Sequence, residues 1–262
     1  MLEIKNIKKV FFKNTINEKI AIDNLSLTLY DGDFVTVIGS NGAGKSTLLN
    51  IISGAYDIDS GSISLNGKNI TKLKEYKRAK YFGRVFQDPM QGTAPNMQIE
   101  ENLALSLRRG EKRGLSWGIK KDERKLYKEK LATLNLGLEN RLDTKVKLLS
   151  GGQRQALTLL MATIKKPEVL LLDEHTAALD PKTASLVLDI TDEIVNSMNI
   201  TTLMITHNMK DAIKYGNRLI MMDSGNIIYD VKGEEKKNLT VEMLLKKFEN
   251  TKKALSDDMV LS

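Results

Sequence analysis

Residues 34–47, FVTVIGSNGAGKST, decide how the rest of the chain is read. FVTVIG is a short run of β-branched and aromatic residues, and KSTLLNIIS behind the glycines has the apolar spacing of a helix. Between them, GSNGAGKS fits the G-x-x-x-x-G-K-[ST] pattern in the strand-to-helix context that makes such a match specific. Gly39, Gly42 and Gly44 let backbone N–H groups converge on phosphate oxygens, and the helix that follows adds its positive end. The loop comprises Gly39, Ser40, Asn41, Gly42, Ala43, Gly44, Lys45, Ser46 and Thr47. Lys45 is placed to bridge β- and γ-phosphates, and the Ser46 hydroxyl is suited to Mg²⁺.

Short β-patterns precede the loop: LEIKNI, then LSLTLY and a turn at Asp31 and Gly32. Beyond it, Gly54 reads as a helix stop, and SISLNGKNI as a hairpin turning at Asn66 and Gly67. From Asp88 to Lys166 strand patterns cease and helical periodicity takes over. VLLLDE, TTLMITH and RLIMMD then return as buried strands separated by helices. The expected organisation is one α/β domain over residues 1–235, with a core of 1–87 and 167–235 and an inserted helical subdomain at 88–166. Residues 236–262 read as an amphipathic helix around TVEMLLKKFEN followed by a frayed tail.

Composition sets the bounds. The chain has 262 residues, 41% of them hydrophobic, which suits one substantial core or a core with a lobe attached, and makes two independent domains unexpected. Cysteine is absent, which fits a reducing compartment, and MLEIKNIKKV lacks the apolar core of a leader. Apolar runs such as LTLLMA fall far short of the roughly 20 residues of a membrane span. These features point to a cytosolic chain that does not cross a bilayer by itself. The net charge is +7, with basic residues crowding Arg108 to Lys130. Such a face suits water or an anionic membrane surface; with only 5% aromatics and no stacking pattern, nucleic acid is not expected as a partner.

VLLLDE places two carboxylates at the C-terminal end of an apolar strand, where open α/β sheets bind ligands. Asp173 suits the Mg²⁺ shell, and Glu174 suits orienting and deprotonating an attacking water. A strand that ends in solvated acids is common; the pairing with the phosphate loop gives this one meaning. His207 ends another core strand and points toward the same γ-phosphate, although a lone histidine after a strand is more often structural. Gln87 follows FGRVF where strand gives way to the helical lobe, so it can touch Mg²⁺ or water and move with that lobe.

LSGGQ at 149–153 has the form of a second helix start. Ser150 and Gln153 have capping-box spacing, and Gly151 and Gly152 bare the first turn at a cost of about 1 kcal/mol each relative to alanine. A purely structural cap gains nothing from two glycines, which raises the question of whose phosphate this helix serves.

In order and spacing, these motifs resemble the nucleotide-binding subunit of an ABC transporter over residues 1–235: the loop at 39–46, Gln87, LSGGQ at 149–153, LLLDE at 170–174, ALD at 178–180, and His207. The resemblance implies a P-loop NTPase core with a mixed sheet, an N-terminal antiparallel β subdomain and the inserted α-helical subdomain. It implies ATP and Mg²⁺ as ligands, and a homodimer in which Ser150, Gly151, Gly152 and Gln153 face the ATP held by the partner copy. Asp180 then lies in a loop at the dimer interface. An aromatic residue that stacks on adenine is implied as well; Phe11 fits best, with Phe12 as the alternative and a plain core role open for both. His175 departs from the pattern, which has proline after the glutamate, and it receives no role. RVFQDPMQGTAPNMQIEENLAL and DEHTAALDPKTA resemble bacterial import systems with a separate transmembrane permease and an extracytoplasmic substrate-binding lipoprotein, linked to amino acids, with aromatic ones among the candidates. This implies a peripheral place on the cytoplasmic face of the cell membrane. Export is an alternative, and so is a non-transport ATPase such as one serving iron–sulfur cluster assembly.

Overall fold

The structure is a computed structural model that describes residues 1–111 and 118–249. Part of the basic segment and the expected frayed tail therefore lie outside the described residues. In chain order the elements are β1 (Leu2–Phe11), β2 (Lys19–Leu29), β3 (Phe34–Gly39), α1 (Lys45–Ser53), β4 (Ser60–Leu65), β5 (Lys68–Asn69), α2 (Glu75–Arg78) and β6 (Phe82–Val85). There follow α3 (Ile99–Leu107), α4 (Lys121–Ala132), α5 (Gly151–Thr163), β7 (Val169–Asp173), α6 (Pro181–Met198), β8 (Thr201–Ile205), α7 (Met209–Lys214), β9 (Arg218–Asp223), β10 (Asn226–Lys232) and α8 (Glu234–Lys237). Residues 241–249 form a last helical stretch.

Two sheets result. An antiparallel sheet has the order β2-β1-β4-β5, and a six-stranded sheet has the order β10-β9-β3-β8-β7-β6. In the second, β9, β3, β8, β7 and β6 run parallel and β10 is antiparallel at the edge. This is the mixed-sheet P-loop NTPase fold with its antiparallel β region and helical insertion. Between β6 and β7 the only pairing among the described residues is an isolated bridge from Gln98 to Lys145.

The strand period of two distributes the core over both faces of the large sheet. Along β7, Val169 and Leu171 face a cluster containing Leu48, Leu49, Ile51 and Ile52 of α1, whereas Leu170 and Leu172 face Ile99, Leu103, Tyr127 and Leu157 of the helical segments. Helix α1 is thereby clamped between the sheets, with its N-terminus at the C-terminal edge of β3. Its other end closes as the sequence indicates: Gly54 takes φ 85° and donates its N–H to Ile51 O at 3.2 Å. The buried Arg78 guanidinium donates to the carbonyls of Ile51 and Ile52 in the last turn at 2.8 and 2.9 Å. Asn66 and Gly67 turn the hairpin with φ 49° and 75°, the two positive values a two-residue turn demands.

Candidate functional site

The site gathers at the C-terminal ends of β3, β7 and β8. The loop after β3 shares a cavity of ≈ 230 Å³ with Phe11, Lys19, Glu174 and His207. Gly44 sits at φ 96° with no side-chain cap, and a Cβ there would stand 2.5 Å from Ala21 O, so only glycine fits. The uncapped first turn leaves its N–H groups to a ligand. Ala43 is buried against Ser40 O and Gly225 N–H, which fix the loop at both ends; Ser40 Oγ donates to Asp223 Oδ1 at 3.0 Å.

Lys45 is 6% exposed, and among the described residues its ammonium donates to loop carbonyls alone, Gly39 O at 2.9 Å and Ser40 O at 3.0 Å. Burial pushes its pKa down, and the Glu174 and Asp173 carboxylates oppose that shift. Ser46 Oγ donates to Asp173 Oδ1 at 3.2 Å. Burial pushes the Asp173 carboxyl up, against the Ser46 hydrogen bond and the nearby Arg84 cation at 3.9 Å. A hydroxyl and a carboxylate side by side form a hard-oxygen pair suited to Mg²⁺, and a buried ammonium held only by neutral carbonyls suits a phosphate.

Glu174 follows Asp173 in the left-handed region at φ 47°, its N–H bonded to Ile205 O at 3.1 Å. Holding a non-glycine residue there costs on the order of 1 kcal/mol. The turn aims its carboxylate at His207, whose Nε2–H donates to Glu174 Oε1 at 2.6 Å. Gln87 is exposed and lines a larger cavity of ≈ 700 Å³ together with Asp173, Arg84 and Gln91. Thus the phosphate loop, Asp173, Glu174 and His207 converge, with Gln87 on the rim.

Of the two aromatic candidates, Phe11 is half-buried in the loop cavity and meets Tyr56 edge-on at 5.4 Å between centroids. Phe12 is 69% exposed and lies outside that lining.

The LSGGQ signature segment at 149–153 lies apart from this cavity. Ser150 caps α5: its Oγ accepts from Gln153 N–H at 3.3 Å, and Gln153 Oε1 accepts from Ser150 N–H at 3.2 Å. Gly151 is exposed. Gly152 is buried, and a Cβ on it would stand 2.2 Å from Thr183 Cγ2. One of the two glycines therefore has the packing reason that the sequence does not reveal: it lets the starts of α5 and α6 touch. Asp180 caps α6 by accepting from Thr183 N–H at 3.1 Å.

Three residues that sequence reasoning missed belong to this geometry. Arg84 is the charged member of the short strand FGRV; it stacks on Phe86 at 4.4 Å and donates to Asn50 Oδ1 at 2.7 Å. A cation inside a buried strand is a legible signal. Arg154 donates to Leu149 O at 2.9 Å and Lys147 O at 3.2 Å, holding the approach to Ser150. Lys19 pairs in register with Phe11, and its ammonium lies 3.7 Å from where a Cβ of Gly42 would be. No local pattern marks Lys19, because the contact arises only when the two sheets pack.

Residues 22–177 match the family described as ABC transporter. The chain belongs to this family. It is 52% identical over 249 residues to a tyrosine transport ATP-binding protein of Clostridioides difficile, covering 95% of this chain and 99% of that protein. It is 34% identical over 232 residues to the methionine import ATP-binding protein MetN of Bartonella henselae, covering 87% of this chain and 64% of that longer protein. Among solved structures, a dimeric post-hydrolysis state of the ATP-binding cassette MJ0796, bound to ADP and Pi, superposes with a TM-score of 0.75 at 28% identity, covering 88% of this chain and 98% of that one. The protein is thus an ABC ATPase whose ATP hydrolysis is coupled to transport, and the transport relatives weigh against the iron–sulfur assembly alternative. No described helix is long and apolar enough to cross a membrane; the transport ATP-binding relatives imply a membrane permease partner.

Proposed function

We propose that this ABC ATPase powers the import of an aromatic amino acid, tyrosine foremost, through a separate permease fed by an extracytoplasmic binding protein, while lying on the cytoplasmic face of the membrane. The substrate reading rests on the 52% identical tyrosine transport relative, which matches this chain over nearly its whole length. The catalytic reading rests on one observation above the others: Glu174, held in a strained turn, has its carboxylate fixed by His207 at 2.6 Å beside the phosphate loop.

In this reading Lys45 leaves its loop carbonyls for the β- and γ-phosphates of ATP, the amides of residues 40–44 and the α1 N-terminus receive phosphate oxygens, and Phe11 stacks on adenine. Ser46 and Asp173, with Gln87 on the rim, would hold Mg²⁺, which supplies neutralisation of the triphosphate charge. Glu174 takes a proton from the attacking water, and His207 keeps its carboxylate aimed. Ser150, Gly151 and Gly152 serve the ATP of a second copy, with the Asp180 loops meeting across the interface. Residues 88–166 act as a lobe hinged at Gln87, and the permease docks along Gln91 to Glu101.

The test is uptake of labelled tyrosine in cells whose only copy of this chain carries Glu174→Gln. Removing the base while keeping the shape is expected to slow ATP turnover by about 10²- to 10⁴-fold and to abolish uptake. Unchanged turnover overturns the catalytic reading. Lost turnover with unchanged tyrosine uptake overturns the substrate reading, and tyrosine accumulating inside the cells would indicate export.

A further inference from the structure

His175 follows Glu174 directly and is 1% exposed, on a face turned away from the nucleotide cavity. Its Nε2 lies 3.1 Å from Thr191 Oγ1 on α6, and Thr191 Oγ1 lies 2.7 Å from Val187 O. A threonine hydroxyl has one proton, and here the carbonyl takes it. The contact with His175 therefore requires Nε2–H as donor, which fixes the neutral tautomer and leaves Nδ1 as an acceptor. That Nδ1 is buried and has no hydrogen-bond partner among the described residues. The arrangement costs stability, since an unpaired buried acceptor is unfavourable and an apolar pair of similar volume would fill the space without that cost.

What the fold gains is a fixed distance. The backbone of Glu174 is tied on one side to β8, through its N–H on Ile205 O, and its own carbonyl accepts from Ala177 N–H at 2.9 Å. Neither bond reaches α6. Helix α6, for its part, begins at the Asp180 cap and touches the signature helix where Thr183 meets Gly152. The hydrogen bond from His175 to Thr191 is the polar link between this helix and the residue next to the base.

We propose that His175 and Thr191 are a positioning pair, which locks the strained Glu174 turn onto α6 so that the placement of the signature helix start and the aim of the base are set together. The pair touches no reacting atom. The proposal rests on Glu174 being the base, as argued above, and deepens that reading.

Steady-state ATP hydrolysis by the full chain tests it. Thr191→Val keeps the shape and removes the acceptor; it is expected to lower kcat about five- to tenfold while leaving KM for ATP within about twofold. Thr191→Ser, which restores the hydroxyl, should return kcat to within about twofold of the parent. His175→Gln, which keeps a donor near the Nε2 position, should fall between the two, and combining it with Thr191→Val should add little to Thr191→Val alone. A parental kcat in Thr191→Val overturns the proposal. So does a loss that Thr191→Ser fails to rescue, because packing and not the hydrogen bond would then be responsible. If Glu174→Gln itself turns over ATP normally, the reading of the base fails, independently of the pair.

Discussion

Helices α1 and α5 both start among glycines, yet the two starts are built differently. At α1 the cap position is Gly44, left-handed at φ 96°, with no side-chain cap on the first turn and the Lys45 ammonium close by. At α5 the cap is Ser150, extended at φ −63° and ψ 163°, in a closed capping box with Gln153. The first start is open and complete: its anion would find backbone N–H groups, a cation, and the Asp173 and Glu174 carboxylates within one chain. The second is partly closed by its own side chains, and the Arg154 guanidinium beside it is already spent on the Leu149 and Lys147 carbonyls. Ser150 Oγ spends a lone pair on Gln153 N–H but keeps its proton, so it can still donate to an anion brought from outside. In the proposed reading such a start is half a site, and the other half arrives with a second copy.

Three substitutions would break or sharpen this contrast, in falling order of effect. Lys45→Ala removes the only cation buried in the α1 loop, and ATP affinity measured by titration calorimetry should fall about 10²-fold or more; unchanged affinity would make the loop an ordinary turn. Gly44→Ala puts a Cβ 2.5 Å from Ala21 O in a left-handed backbone, and a loss of about 2 kcal/mol in denaturant unfolding is expected. Gly151→Ala, on the exposed signature start, meets only Leu179 Cδ2 at 3.2 Å. It should leave stability within about 0.5 kcal/mol, since alanine's helix propensity offsets a tight contact. If Gly151→Ala destabilised the chain as much as Gly44→Ala, the two starts would not differ in kind.

The sequence made the α1 site legible because everything it needs is local: strand, loop, lysine, serine and helix follow one another within residues 34–53. Asp173, Glu174 and His207 were readable for a related reason. Each ends or closely follows an apolar strand, and parallel strands in one sheet bring their C-terminal ends to one edge. The helical insertion followed from the change of period between Asp88 and Lys166, whereas the mixed sheet was implied by the family resemblance. What stayed hidden depends on packing between distant segments. Gly152 needs α6 beside it to show its purpose, and Lys19 meets Gly42 only across two sheets. Arg154 reaches back to carbonyls up to eight residues away. His175 looked like an unexplained departure from its family's proline, and only Thr191, sixteen residues on, shows what it bonds to.

The central claim is that α5 completes a site on another copy, and size-exclusion chromatography of the Glu174→Gln chain tests it most directly, at one protein concentration with ATP and with ADP. Because the variant binds ATP without consuming it, a dimer should accumulate with ATP and be absent with ADP. Adding Ser150→Arg puts bulk and a new side chain where the partner's terminal phosphate belongs, and the double variant should remain monomeric with ATP. A double variant that dimerises with ATP as readily as Glu174→Gln alone would contradict the account, since Ser150 would then face no partner nucleotide.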